Sequence, residues 1–333
     1  AFFNNIIFET KGIVIGIALV GSAVIINFLS HLFTYLKKKN YNFHFFFLLS
    51  VFIYIGYKMN RYGEYGNDAP THFLFFFLIS EILLHISREN ENFVGKNLIL
   101  ASYIVLNKIT MAFALFLPII FISKKNFKKE FKNKKNYLFL ILLLPWFLKN
   151  IIVSGCLIYP VEKLCFKNLE WTNIDQVKIV SEENEAWTKS WPNFKNPYQI
   201  SQKEYSANFN WIETWAKNHF KKIIKILAPY LIFLLIIFLI ISKYKNKIIS
   251  NNKIVIKKYK LLIFLMMIFS LIWFLKVPVY RYGYSYFISF FTLLFAFVCT
   301  YKKTINVKLN YFFKILIIFI SFVFLSKNII KII

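Results

Sequence analysis

Asn60-Arg61-Tyr62-Gly63-Glu64-Tyr65-Gly66-Asn67-Asp68-Ala69-Pro70-Thr71-His72 is a polar island between two apolar runs, Phe45 to Tyr57 before it and Phe73 to Leu84 after it. The flanks decide the fold class. Each is long and apolar enough to read as a membrane helix, so the island is the loop that joins two of them. Ionisable groups at such a boundary are costly unless water or a ligand meets them. The island also holds Gly and Pro, which let the backbone turn.

The same pattern repeats along the chain. Of its 333 residues, 58% are hydrophobic and 20% aromatic, which excludes disorder and exceeds what a soluble core needs. Apolar spans fall at 13–36, 42–59, 70–87, 97–107, 109–123, 136–153, 223–242, 260–276, 283–300 and 309–326. The expectation is an all-α, polytopic bundle of about 10 membrane helices, forming one integral-membrane domain over 1–333. Its one sizeable outer loop region is 154–222. The chain opens at Ala1 without Met, so further N-terminal sequence is expected.

The formal charge of +27 suggests nucleic acid, but the lysines gather in loops between apolar runs. That is the distribution of a positive-inside membrane protein, so no nucleic-acid partner is expected. Lys37 to Lys39, Lys124 to Lys135, Lys243 to Lys260, and Lys302 with Lys303 mark the cytoplasmic side. Keeping all four there requires an even number of crossings between them. The stretch 97–123 must therefore break near Asn107-Lys108 into two short helices, with Lys108 at the outer surface. The same parity puts the 60–72 loop, the 154–222 segment and the turn Val277-Pro278-Val279-Tyr280-Arg281-Tyr282 outside. The 154–222 segment holds eight of the 15 acidic residues and Trp171, Trp187, Trp191, Trp211 and Trp215, so it faces water. Asn208 to Phe220 reads as an amphipathic helix lying on the interface, with Phe209, Ile212, Trp215 and Ala216 on one side.

Three outer features carry candidate chemistry. Asp68, supported by Glu64 and His72, could deprotonate an incoming hydroxyl or hold a divalent metal, Mg or Mn, against a phosphate leaving group. The bland alternative for Asp68 is an N-cap ahead of Pro70. Arg281, between Tyr280 and Tyr282, has the donor fork that suits a phosphate, and tyrosines can stack on sugars. An interfacial aromatic belt is the alternative there. Lys108, alone in an apolar stretch, needs water, an anion or a partner. Glu81 and His85, four residues apart, share a helix face and suggest a hydrogen-bonded pair. Cys156 and Cys165 suit a disulfide if the outer side is oxidising.

The order of these parts resembles the GT-C-type glycosyltransferases, polytopic enzymes that use polyprenyl-phosphate sugars. Asp68 in Tyr65-Gly66-Asn67-Asp68-Ala69-Pro70-Thr71-His72 fits the acidic residue of their early outer loop. Asn107-Lys108-Ile109-Thr110 looks like their Lys-bearing turn. Pro145-Trp146-Phe147-Leu148-Lys149-Asn150, running into Ser154-Gly155-Cys156-Leu157-Ile158-Tyr159-Pro160, is similar to a run found in many bacterial members. Pro278-Val279-Tyr280-Arg281-Tyr282 resembles their late Pro-x-x-Arg-Tyr turn. The likeness spans roughly residues 55 to 290 and is closest to an uncharacterised bacterial branch. It departs in its short early loop and in Lys149, where those members carry Arg.

The resemblance implies a transferase in a bacterial inner membrane, acting on its outer face. A polyprenyl-phosphate sugar would be held by Arg281, Lys108, Tyr280 and Tyr282. Asp68 would be the base or metal ligand. The acceptor would be an envelope glycan or lipid gripped by 154–222. The rival expectation is an envelope polysaccharide transporter or polymerase-type protein, with Glu81, His85 and Lys108 along one path through the bundle. A structural membrane protein is the third.

Overall fold

A computed structural model describes residues 11–59, 68–87, 93–122, 127–191, 200–247, 253–300, 303–305 and 307–329. Glu64 lies outside the described residues, as does the rest of the 60–67 stretch.

The architecture is a helical bundle. Its first half runs α1 (Lys11–Lys38), α2 (Phe43–Lys58), α3 (Asp68–Ser87), α4 (Phe93–Asn107), a 3-10 stretch (Ile109–Leu115), α5 (Phe116–Ile120), α6 (Phe127–Lys132) and α7 (Phe139–Ser154). The outer segment contributes α8 (Ile174–Thr188), α9 (Gln202–Ser206) and α10 (Ile212–Trp215). The chain then continues through α11 (Lys221–Ser242), α12 (Lys253–Lys276), α13 (Tyr280–Thr300) and α14 (Asn310–Ile329). Two three-residue strands, β1 (Lys245–Lys247) and β2 (Lys303–Ile305), pair antiparallel at the lysine-rich end.

Among the described residues, seven helices are long and apolar enough to cross a membrane. The other three expected spans are shorter. The spans read at 42–59, 97–107 and 109–123 form shorter apolar helices, Phe43–Lys58, Phe93–Asn107 and Ile109–Ile120. The short α2 is the centre of the bundle. Phe45, Phe46, Phe47, Leu48 and Leu49 are all fully buried, so it presents no face to the surroundings. Asn42 caps it by accepting the Phe45 N–H at 2.9 Å. Aromatic edges hold it to α14, with Phe45 and Phe313 centroids 5.1 Å apart.

The rim shows the opposite character. Ile152 and Val153 on α7 are more than 70% exposed, as is Tyr311 on α14. An apolar surface of this extent is stable when hydrocarbon covers it, which makes the chain a multi-pass membrane protein.

Two local features follow from sequence. Helix α4 stops at Asn107 because Lys108 takes an extended backbone (φ −156°, ψ 105°), and the chain restarts as a 3-10 turn. The break is where parity places it. Helix α7 ends at Gly155, whose φ of +70° is open to glycine, and whose Cα has the Thr172 hydroxyl packed against it.

The interfacial helix expected over Asn208 to Phe220 does not form as such. Asn208 and Phe209 have positive φ, so the helix starts only at Ile212. It passes through a π-helical turn, Ala216–Phe220, directly into α11. Trp215 points inward and is 7% exposed, whereas Phe209 is exposed. The four apolar residues therefore do not share a face.

Candidate functional site

Asp68, Lys108 and Arg281 come from three different parts of the chain, and the fold brings them together at one end of the bundle. Asp68 opens α3, with Pro70 in the first turn, where a missing N–H costs nothing. Lys108 sits at the break after α4. Arg281 is the second residue of α13. The Lys108 ammonium donates to the Asp68 carboxylate and, at 2.8 Å, to the Arg281 backbone carbonyl. Its Nζ also lies 4.6 Å from the centroid of the Tyr282 ring. The lysine side chain is buried and the aspartate is 40% exposed, so the pair has an outer carboxylate and an inner ammonium. Burial lowers the Lys108 pKa from the ordinary lysine value. The hydrogen bond and charge of Asp68 oppose that shift, and the Arg281 charge adds to it.

His72 is placed differently from the loop position the sequence suggests. It lies one turn into α3 and is fully buried. Its Nε2 is 2.8 Å from the Arg281 carbonyl and its Nδ1 is 2.8 Å from the Ser285 hydroxyl. A carbonyl can only accept, so Nε2 carries a hydrogen, and the Ser285 hydroxyl satisfies Nδ1 by donating. Both ring nitrogens are committed. His72 therefore holds the Arg281 carbonyl that Lys108 also uses, and is a positioning residue rather than a partner in proton transfer.

Tyr280 and Tyr282 have separate duties. The Tyr280 hydroxyl is 2.8 Å from that of Tyr54, and its ring stacks on Tyr284, so it faces a tyrosine cluster inside the bundle. Tyr282 faces the junction: the Arg281 guanidinium donates to its hydroxyl at 3.2 Å and lies 5.1 Å from its ring centroid. Among the described residues, no carboxylate forms an ion pair with Arg281, and its side chain is exposed. It is a cation presented outward.

Several supporting residues are not apparent from sequence. Thr110 donates to the Tyr282 carbonyl at 3.0 Å, and the Tyr286 hydroxyl donates to the Thr110 carbonyl at 3.1 Å. Together they lock the Lys108 turn to α13. Trp215 donates to the Pro278 carbonyl at 2.7 Å, and Trp273 donates to the Val279 carbonyl at 3.1 Å. These two indoles fix the turn that delivers Arg281. Gly283 allows it, because a Cβ there would lie 2.0 Å from Trp273 Cδ1. Ser285 had one available signal, since it stands four residues after Arg281 and so shares its helix face.

The outer segment closes over the same turn. The Lys276 ammonium is 3.3 Å from Glu185 of α8, and the Thr188 hydroxyl donates to the Lys276 carbonyl at 3.3 Å. Trp171 and Trp187 remain more than half exposed. Cys156 and Cys165 are joined by a disulfide that closes the loop after α7.

Glu81 and His85 lie elsewhere. Thirteen residues of helix separate Glu81 from Asp68, roughly 20 Å. Glu81 accepts an ion pair from Lys96 at 2.8 Å, and His85 stacks on Phe93. Buried Phe73, Phe75, Phe76, Leu78 and Ile79 fill the α3 stretch between.

The donors near Asp68 can be stated only for the described residues, which exclude Glu64. No group of three His, Cys, Asp or Glu side chains assembles among the described residues. Asp68 faces an ammonium, and His72 has no free nitrogen.

The chain matches, over residues 1–288, the family described as a domain of unknown function (DUF8201). Neither curated proteins nor solved structures give a match.

Proposed function

The chain belongs to the DUF8201 family, and we propose that it is a GT-C-type membrane glycosyltransferase that takes its sugar from a polyprenyl-phosphate donor. One observation carries the reading. Among the described residues, one carboxylate and two cations, distant in sequence, meet at one end of a largely apolar bundle. That is the charge set a displacement at a lipid-linked sugar needs.

The chemistry is as follows. An acceptor hydroxyl attacks the anomeric carbon, forming the new glycosidic C–O bond. The bond from that carbon to the phosphate oxygen breaks, and the electron pair leaves with polyprenyl phosphate. Asp68, the exposed partner, takes the hydroxyl proton. Lys108 and Arg281 stabilise the charge developing on the phosphate, from a site fixed before reaction by His72, Ser285 and Thr110. Tyr282 joins the two cations through its ring. The outer segment, with Trp171 and Trp187 exposed, would present the acceptor, an envelope glycan or lipid. The bundle would sit in a bacterial inner membrane with this end on the outer face.

The test is donor consumption. Protein reconstituted in lipid should release polyprenyl phosphate from a panel of polyprenyl-phosphate sugars when envelope glycan is supplied. Asp68→Asn should lose release while keeping its elution profile and melting point. Release equal to wild type from Asp68→Asn, or none from wild type with any donor, would sink the reading.

A further inference from the structure

On the other side of the tyrosine cluster, α2, α11 and α14 enclose a cavity of about 240 Å³, lined by Ile53, Pro229, Phe233, Phe319 and Val323 among others. Sequence explains the opening. Pro229 lacks the N–H that would tie α11 to its preceding turn, and a helix bends at such a point. The floor is Gly56, where a Cβ would lie 2.7 Å from the Ile320 side chain, so α2 and α14 touch there and part above. Phe319 is 58% exposed, so the cavity opens on the apolar rim of the bundle. At its polar end stands Lys327. Its ammonium donates to the Tyr57 carbonyl at 3.0 Å and lies 5.7 Å from the Tyr57 ring centroid. Among the described residues, no carboxylate pairs with it. The same rim carries Lys221, Lys222 and Lys225 in the first turns of α11, and the Tyr57 hydroxyl donates to the Lys225 carbonyl.

We infer that this groove holds one acyl chain of an anionic bilayer phospholipid, with the phosphate on Lys327. An apolar channel that ends in a cation at headgroup height matches a lipid with an anionic head. The groove is distinct from the Asp68–Lys108–Arg281 junction. Tyr230 forms its inner wall, packing at 5.4 Å against Tyr54, whose hydroxyl meets Tyr280. A phosphate on Lys327 is therefore walled off from the cations proposed for transfer. The inference does not depend on the transferase reading.

Native mass spectrometry of the intact chain in mixed micelles tests it, with equal amounts of phosphatidylglycerol and phosphatidylcholine as the probes. The wild type should retain phosphatidylglycerol about fivefold over phosphatidylcholine, the preference expected of one lysine near a headgroup. Lys327→Gln should lose that preference, and Lys327→Arg should keep it. Val323→Trp, which fills the groove, should lower retention of both lipids. Lys327 packs in no core, so Lys327→Gln stands even if Val323→Trp fails to fold. Equal retention of the two lipids by wild type, or an unchanged preference in Lys327→Gln, overturns the inference. Displacement of phosphatidylglycerol by equimolar polyprenyl phosphate in wild type but not in Lys327→Gln would overturn it too, by giving the groove to an isoprenoid chain.

Discussion

Replacing Gly283 by alanine should damage the site from behind, without touching any charged group. The added Cβ would lie 2.0 Å from Trp273 Cδ1 and 2.5 Å from Cγ and Nε1. Ordinary contact begins at 3.4 Å, so the pair must separate by about 1.4 Å. Trp273 cannot supply that movement cheaply. It is 3% exposed, its Nε1 bonds the Val279 carbonyl, and its ring meets Phe287 edge to face at 4.7 Å. Overpacking of this kind costs about 1–3 kcal/mol, and a lost buried hydrogen bond adds about 1 kcal/mol. Alanine returns at most about 1 kcal/mol through helix propensity. The net expectation is a loss of about 1–3 kcal/mol. If α13 shifts instead, the Arg281 carbonyl leaves Lys108 and His72. Thermal unfolding in detergent reads the first outcome, and donor release at a permissive temperature reads the second. Gly16→Ala is the control, because a Cβ there meets nothing within 4 Å. A Gly283→Ala protein as stable and active as Gly16→Ala would refute the tight approach of α12 and α13.

Further outcomes follow from the same geometry. Burial depresses the Lys108 pKa, so the unfolded chain binds more protons than the folded one between the lowered value and the ordinary 10.5. The Lys108 contribution to stability thus rises with pH through that window. Its charge is lost there, so affinity for phosphate falls below the pH at which exposed lysines titrate. Lys108→Gln should flatten that alkaline limb of a phosphate-binding profile, and an unchanged limb would mean Lys108 does not bind the anion. His72→Phe leaves the buried Ser285 hydroxyl without its nitrogen and removes one donor from the Arg281 carbonyl, a loss of about 2–4 kcal/mol that unfolding measurements would detect. Trp215→Phe keeps the packing against Phe274 but loses the Pro278 bond, which predicts a smaller loss of about 1 kcal/mol and a lower apparent affinity for donor. Reducing Cys156–Cys165 frees a short loop outside the helical bundle. Hydrogen exchange should quicken over 156–165 and leave α2 and α3 unchanged.

How much of this was readable depends on what kind of signal each residue leaves. Lys108 is legible because a lone charge in an apolar run violates helix chemistry and charge parity together. Asp68 and Arg281 are legible because they stand at the ends of apolar runs. What sequence does not reveal is the neutral scaffolding. Ser285, Thr110 and Tyr286 look like ordinary residues of apolar helices, and their partners lie 172 to 213 positions away. His72 is ambiguous in sequence: it closes the polar 60–72 stretch and also falls in the apolar span 70–87, and α3, which begins at Asp68, carries it inside. Sequence does not reveal that the short α2 is the centre of the bundle, because a helix wrapped by other helices and one facing lipid are equally apolar. Trp215 misleads because helical periodicity carries no information about the positive φ at Asn208 and Phe209, which delays the helix and turns the indole inward.

Lys108 and Arg281 are proposed to form one site for a lipid phosphate. The direct measurement is equilibrium binding of a short-chain polyprenyl phosphate to the reconstituted protein, with the matching polyprenol as the uncharged control. Saturable binding of the phosphate alone is expected, weakened about tenfold or more by either Lys108→Gln or Arg281→Gln, as for a lost charge-assisted hydrogen bond. Equal binding of polyprenol and its phosphate, or wild-type affinity in both variants, would contradict it.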